Sequence, residues 1–452
     1  MTRPLLLGAF EEFTPSFISN AWPHPASDPT GFADLATWQA LTRRLADGGF
    51  DFLFLADALG YPMTGDEIPE VVVREAVQFP VHDPVPLVAA LAASEPRLGF
   101  VVTASTTADD PFLLARRFAT LDHLTRGRIG WNIVTSDLQT ALVRLLGRRE
   151  VTPHDERYDR ADEFVDLVLA LWEGGWGDDA IRADKTARVF TEPGAVHRIR
   201  HDGRFFRFDG LFPVSPSPQR TPTLFQAGTS ARGRRFAARV AECVFIQERD
   251  HRKAAAIVRD LRDLAAAAGR PRDAVRVINS VSVVVGDTAD EAAELRRSLS
   301  EAPSRDATAA LFLGWSGVNL LGLDPATPVD ELTTEIGQTT LAAIQGRGAT
   351  VGDALDSLTA ALGGPKITGT PAECAADVAA LAEATDVDGL LIEHTFGGIA
   401  TYERFVDDVV PLLRERGVLP GEPRGGSLRE RLTGGGPHLP DSHPGAALRD
   451  QR

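Results

Sequence analysis

Gly127-Arg128-Ile129-Gly130-Trp131-Asn132-Ile133-Val134-Thr135-Ser136 is the stretch on which the fold turns. Its apolar centre has the composition of a short buried strand. Its carboxyl end passes into Asn, Thr and Ser, poor core residues but good hydrogen-bonding groups. A strand that turns polar at that end, within alternating strands and helices, predicts a (β/α)8 barrel with its site at the carboxyl ends of the strands. A strand running into an ordinary polar turn is the competing reading, and this segment alone does not separate the two.

Outward from it, strand-like and helix-like segments alternate. Strands are predicted at 5–10, 52–56, 98–103, 222–226, 243–247, 275–285 and 390–393. Helices are predicted near 35–46, 86–93, 111–123, 155–172, 233–240, 251–267, 290–299, 371–384 and 402–416. The 155–172 segment carries Tyr158, Ala161, Phe164, Val165, Val168 and Trp172 on one face. Residues 174–221, rich in Gly, Pro and Arg, read as an insertion after the fourth strand. Residues 305–365 read as a second insertion after the seventh, either a lid, a surface excursion or a subunit contact. The expected architecture is one α/β TIM barrel over 1–420. Residues 421–452 are expected to be an extended tail, disordered or packed on a neighbour.

Composition narrows the function. The net charge of −16 over 452 residues argues against nucleic acid as a partner. Lysine occurs only at 185, 253 and 366 among 47 basic residues. Cys243 and Cys374 stand far apart and outside any CxxC pair, consistent with a reduced cytoplasmic protein. The apolar run at the N-terminus is interrupted by Glu11 and Glu12 and is too short for a signal peptide. No stretch has the length of a membrane span. No His, Cys or carboxylate cluster has metal-ligand spacing, so no metal is expected. Gly346-Arg347-Gly348 follows no clear strand and does not support a Rossmann nicotinamide site.

The predicted strand ends collect Asp57, Thr103, Ser105, Asn132, Thr135, Ser136, Gln226, Ser230, Gln247 and Glu393, more polarity than packing requires. Gln226-Ala227-Gly228-Thr229-Ser230-Ala231-Arg232-Gly233 has small residues before a helix start, which suits a phosphate; a Gly-rich tight turn is the alternative. Arg232 is a candidate to add charge there, and it also breaks the Gly-x-Ser-x-Gly pattern of a hydrolase elbow. Tyr158, near His154 at the start of the amphipathic helix, is placed either to reach that phosphate or to sit in the core.

Longer motifs carry a family resemblance: FDFLFLAD (50–57), VREAVQFPVHDP (73–84), FATLDHLTRGRIGWNIVTS (118–136), HDERYDRADEFVDLVLALWEG (154–174), SPSPQRTPTLFQAGTSARGRRFAARVAECVF (215–245) and LRERLTGGGPHLPDSH (428–443). In this order the chain resembles the bacterial-luciferase-like flavin monooxygenases, in the branch of the nitrilotriacetate, dibenzothiophene-sulfone and long-chain alkane enzymes. The resemblance implies a TIM barrel that binds FMN, delivered reduced by a separate NAD(P)H:flavin reductase. It implies activation of O2 as a flavin C4a-hydroperoxide and insertion of one oxygen atom into a small organic substrate by hydroxylation, Baeyer–Villiger or heteroatom oxygenation. A homodimer or homotetramer is the family expectation. The flavin positions carry over onto Asp57, Gln78, Asn132, Tyr158, Ala227, Gly228 and Ser230, with Val134, Thr135 and Ser136 near the phosphate or ribityl chain. Thr103 and His154 are counted with this shell.

The pattern departs from its relatives on the substrate side. Thr14 and Phe17 stand where alkane-type relatives carry Cys and His, Asp137 and a residue near Leu311 replace two further histidines, and Arg144-Leu145-Leu146-Gly147 replaces an Asn-Phe-Gly. Asn132, Asp57 and Asp137 are therefore the candidate catalytic residues, and Phe10, Phe13, Phe17, Phe79 and Trp315 the candidate substrate-binding ones. Two other functions fit the same barrel: flavin- or deazaflavin-dependent hydride transfer, and non-catalytic flavin binding.

Overall fold

A computed structural model describes residues 3–449 except 16, 17, 19, 137, 148–150, 335, 346, 347, 362, 394 and 396–398. Phe17, Asp137 and the Gly346-Arg347 pair thus lie outside the described residues. Eight parallel strands close into a barrel: β1 (Leu6–Glu12), β2 (Phe52–Ala56), β3 (Gly99–Ser105), β4 (Ile129–Val134), β5 (Thr223–Gln226), β6 (Cys243–Ile246), β7 (Arg276–Val285) and β8 (Gly389–Glu393). β1 pairs with both β2 and β8, and β6 with β7, so the barrel has no free edge. Each run is short and buried, as expected of parallel strands covered by helices.

The covering helices are α1 (Leu35–Asp47), α2 (Pro84–Ser94), α3 (Pro111–Thr125), α4 (His154–Leu169), α5 (Ala231–Val240), α6 (His251–Ala267), α7 (Pro371–Thr385) and α8 (400–415, with a π turn at Phe405–Val409). Side-chain oxygens of Asp34, Asp83, Asp110, Ser230, Asp250 and Thr370 cap six of them, taking up N–H groups that the helix leaves unpaired. Alternation along the strands divides the apolar residues into two layers. Outside the barrel, Trp131 packs against Phe118, Phe164 and Trp172. Inside it, Phe10, Phe54, Phe225 and Phe245 meet edge-on or tilted and fill the lumen.

The two interruptions take different forms. Residues 174–221 form two antiparallel hairpins, Ile181–Asp184 with Val189–Thr191 and Arg198–Asp202 with Arg207–Leu211. Residues 305–361 carry the helices Arg305–Ser316, Gln338–Ala342 and Val351–Ala361, with a small core of their own around Phe312, Val318, Leu320 and Val329. Leu311 and Ala310 of this unit join the lumen cluster from above.

The C-terminal residues are not an extended tail. Ser427 caps a helix, Leu428–Thr433, whose Leu428 and Leu432 enter the lumen from below. Leu428 lies against Gly99 and Gly130, at the starts of β3 and β4. Beside it Arg429, 1% exposed, makes a forked pair with Glu242 (2.6 and 2.9 Å) and donates to the Thr221 carbonyl at 2.8 Å. Burial pushes the Glu242 carboxyl up, but Arg429 more than offsets this and holds it below the usual range. Replacing Arg429 by Met should leave Glu242 charged and unpaired and cost about 3–5 kcal/mol, read as a lower urea midpoint; adding Glu242→Gln should recover much of the loss.

Candidate active site

At the carboxyl rim, strand alternation turns Asn132 into the lumen while its neighbour Trp131 faces the helices. Asn132 is level with Thr103 on β3, and its Nδ2 donates to the Thr103 hydroxyl at 2.9 Å. Its Oδ1 is buried and has no partner among the described residues. The same holds for Gln78 Oε1 and Gln226 Oε1. Gln78 sits on the loop after β2 with φ of +48°, and that loop is held to the end of β1 by Thr14 Oγ1, which donates to the Pro80 carbonyl at 2.8 Å. A buried acceptor without a donor costs about 1–3 kcal/mol, so Asn132 Oδ1 and Gln78 Oε1 are open to N–H or O–H groups of a ligand, whereas Gln226 is level with Ile133, on the face of its strand opposite the lumen residue Phe225.

The neighbouring corner is lined by hydroxyls and a glycine. Ser230 caps α5 and accepts from the Gly233 N–H at 3.0 Å. Tyr158 of α4 reaches across to it, with its hydroxyl in hydrogen-bond contact with Ser230 and Thr135. Burial above all pushes the Tyr158 phenol up, so it stays protonated and able to donate. A Cβ at Gly228 would lie 2.3 Å from Gln226 Nε2 and 2.5 Å from the Tyr158 hydroxyl, so only glycine lets this loop approach so closely. Ala227 precedes it, and on the far side Ser136, at φ +61°, donates to Ser105 Oγ at 2.7 Å. Val134 ends β4 beside them. His154 packs at a tilt on Tyr158, ring centroids 5.2 Å apart, and is paired with Asp155, so it supports the ring rather than reaching past it. Arg232 is held by Asp159 and Asp162, and its charge is already matched.

Asp57 stands at the end of β2, and its carboxyl is pushed up to about 7 by burial first and then by Asp83 and Asp109. Of the substrate-side residues, Phe10 faces the lumen, Phe79 meets Tyr61 edge-on at 5.8 Å, and Trp315 packs on the lumen cluster from the 305–316 helix. Phe13 does not belong with them. It is one step out of phase with Phe10 and packs outside the barrel on Phe32, Trp38 and His82. Gly314 lies against Gln78 Oε1, and Tyr61, Leu138 and Gly314 help line a water-sized cavity of about 10 Å³. Tyr61 is absent from the sequence-based site; Gly60-Tyr61-Pro62, just past a polar strand end, was its only local signal. Among the described residues, no group of His, Cys, Asp and Glu could hold a metal ion.

Unpaired acceptors of Asn132 and Gln78 at the rim and a hydroxyl-lined, glycine-backed corner beside them are the polar features of this barrel mouth. The luciferase-like monooxygenase family model matches residues 14–388. The chain belongs to that family of flavin-dependent monooxygenases. It is 38% identical to the dimethyl-sulfide monooxygenase of Hyphomicrobium sulfonivorans over all of this chain and 95% of that one. It is 37% identical to the long-chain alkane monooxygenase of Geobacillus thermodenitrificans over 100% and 99% of the two chains. A solved riboflavin lyase with modified FMN and riboflavin superposes with a TM-score of 0.94 at 39% identity, covering 99% of this chain and 100% of that one.

The site makes two measurable claims. Tyr158→Phe removes a hydroxyl donor from this corner and is expected to weaken FMN about 10- to 100-fold while leaving riboflavin affinity nearly unchanged, as read by fluorescence titration. Asp57 has a folded pKa above its unfolded one, so its contribution to stability is full below about pH 4 and is lost as pH rises toward about 7. In thermal melts, wild type should therefore lose stability relative to Asp57→Asn across that window and run parallel to it above.

Proposed function

We propose that this protein is the oxygenating component of a two-component system: it takes reduced FMN from a separate flavin reductase and inserts one atom of O2 into a small organic substrate. What supports the reading most is that Asn132 Oδ1 and Gln78 Oε1 are buried and unpaired at the mouth, with the Tyr158–Ser230–Gly228 corner beside them. These residues fit FMN. Asn132 and Gln78 would accept from the polar edge of the ring, and Tyr158, Ser230 and Thr135 would donate to the phosphate. Bound reduced FMN supplies the two electrons with which one oxygen atom enters the substrate and the other leaves as water.

The chain's own residues would do the rest. Phe10, Phe79 and Trp315 would keep the mouth dry, which slows wasteful loss of activated oxygen. Asp57, near half-protonated at neutral pH, would hold a proton at its carboxyl for the ring edge or the product oxygen. The similar proteins act on compounds as unlike as dimethyl sulfide, a long-chain alkane and riboflavin, so the substrate follows from the mouth of this chain and not from theirs. The reductase would act through diffusible flavin. The protein would be a cytoplasmic homodimer or homotetramer; its two cysteines are free and buried, and no helix among the described residues is long and apolar enough to cross a membrane.

Anaerobic protein loaded with reduced FMN and mixed rapidly with oxygenated buffer should reoxidise in two resolved phases, the second far slower than reoxidation of free reduced flavin. In ¹⁸O₂, one labelled atom should enter the product of any substrate that hastens the slow phase. Reoxidation indistinguishable from free flavin would overturn the proposal and favour hydride transfer or flavin carriage.

A further inference from the structure

The flavin shell described above occupies the β2–β5 side of the rim. On the β6–β8 side a second polar group is built from Glu393, Gln247, Ser280 and Lys366, and the proposed flavin site uses none of it. Glu393 ends β8 and is 1% exposed. Its Oε1 accepts from Gln247 Nε2 at 3.1 Å and from the Gly364 N–H at 2.7 Å, and its Oε2 faces Lys366 Nζ at 3.4 Å. A Cβ at Gly363 would lie 2.5 Å from Glu393 Oε2, and one at Gly364 2.4 Å from Ser280 Oγ, so the loop closes tightly on the carboxylate and the hydroxyl. Ser280 is fully buried, and its Oγ has no partner among the described residues.

This group is not an ordinary structural ion pair. The Glu393 carboxylate already takes hydrogen bonds from an amide side chain and a backbone N–H, so it is satisfied without a full claim on Lys366. Lys366 has three N–H donors and spends one on Glu393 among the described residues. Its side chain remains 26% exposed, and Gln247, which shares Glu393 with it, is exposed, so the ammonium is open to solvent. Burial lowers its pKa against the pull of Glu393, as for a cation short of solvation. The choice of residue also matters. In a chain with 44 arginines and three lysines, the buried structural cations at 128, 220, 270 and 429 are all arginine, whereas the rim has a compact ammonium with turnable donors. Phe10, Phe79 and Trp315 supply apolar surface to the same mouth.

We propose that Lys366, braced by Glu393 and flanked by Gln247, is a specificity-determining residue that binds an oxyanion on the substrate, so the substrate class is an apolar body carrying a carboxylate or similar anionic oxygen group. This rests on the flavin reading only in placing the substrate in the same mouth.

The test is calorimetric titration of the FMN-loaded protein with hexanoate, hexanamide and 1-hexanol, FMN affinity being measured first for each variant. Hexanoate should bind at least tenfold tighter than the two neutral probes. The double variant Lys366→Gln/Glu393→Gln keeps the local net charge and leaves no buried carboxylate unpaired; it should abolish that preference, and Lys366→Arg should retain part of it. Hexanoate binding no tighter than 1-hexanol, or a preference that survives the double variant, overturns the assignment. Failure of wild type to bind FMN would instead strike the flavin reading, so the two failures are distinguishable.

Discussion

Along β4, Trp131 and Asn132 point in opposite directions because side chains alternate on a strand. That single constraint gives the molecule its form. Trp131 commits one face of β4 to the helices, where it meets Phe118, Phe164 and Trp172. Asn132 is then obliged to face the lumen, level with Thr103, with one amide atom paired and the other left open. A one-residue slip would bury the indole in the mouth and turn the amide into the helical layer. The outer packing therefore fixes the polar group of the site.

The two ends of the barrel treat buried polarity in opposite ways. At the base, Arg429, Glu242, Gln219 and Asp122 share a network in which the carboxylates meet a forked guanidinium, an amide and backbone N–H groups. At the rim, Asn132, Gln78, Gln226 and Ser280 each keep a buried oxygen without a partner among the described residues. Satisfied polarity holds an element in one place, whereas unsatisfied polarity costs stability unless something binds to it. The contrast accords with a barrel whose chemistry lies at the carboxyl ends of its strands.

All eight strands are legible in the sequence to within about two residues at either end, because buried parallel strands are apolar runs bounded by turn residues. The polar strand ends were legible for the same reason: Asn132, Ser230 and Glu393 interrupt or follow apolar runs. Phe13 was misplaced although its period-two phase relative to Phe10 already put it on the other face. The C-terminal plug was illegible for a different reason. Its Pro, Gly and Arg content is that of a solvated tail, and distant partners, Glu242 and the carbonyls of Gln219, Thr221 and Pro222, make a core residue of Arg429. Gln78 reaches the rim through loop geometry, and Lys366 through a short strand, Lys366–Gly369, that pairs with β7 beyond the barrel, placements that no local pattern encodes.

The 305–361 segment bears on how a ligand enters. A loose flap would have few apolar contacts of its own, but this unit has an internal core around Phe312 and Val329 and also places Leu311 in the lumen cluster. Its Gly314 lies against Gln78, and Ile336 accepts from Arg157, the neighbour of Tyr158 on α4. Local unfolding of such a unit would expose both cores at once, so displacement as a body is the less costly motion. Because the contacts it would break include Gln78 and Arg157, access to the mouth and the geometry around the candidate flavin site are physically joined.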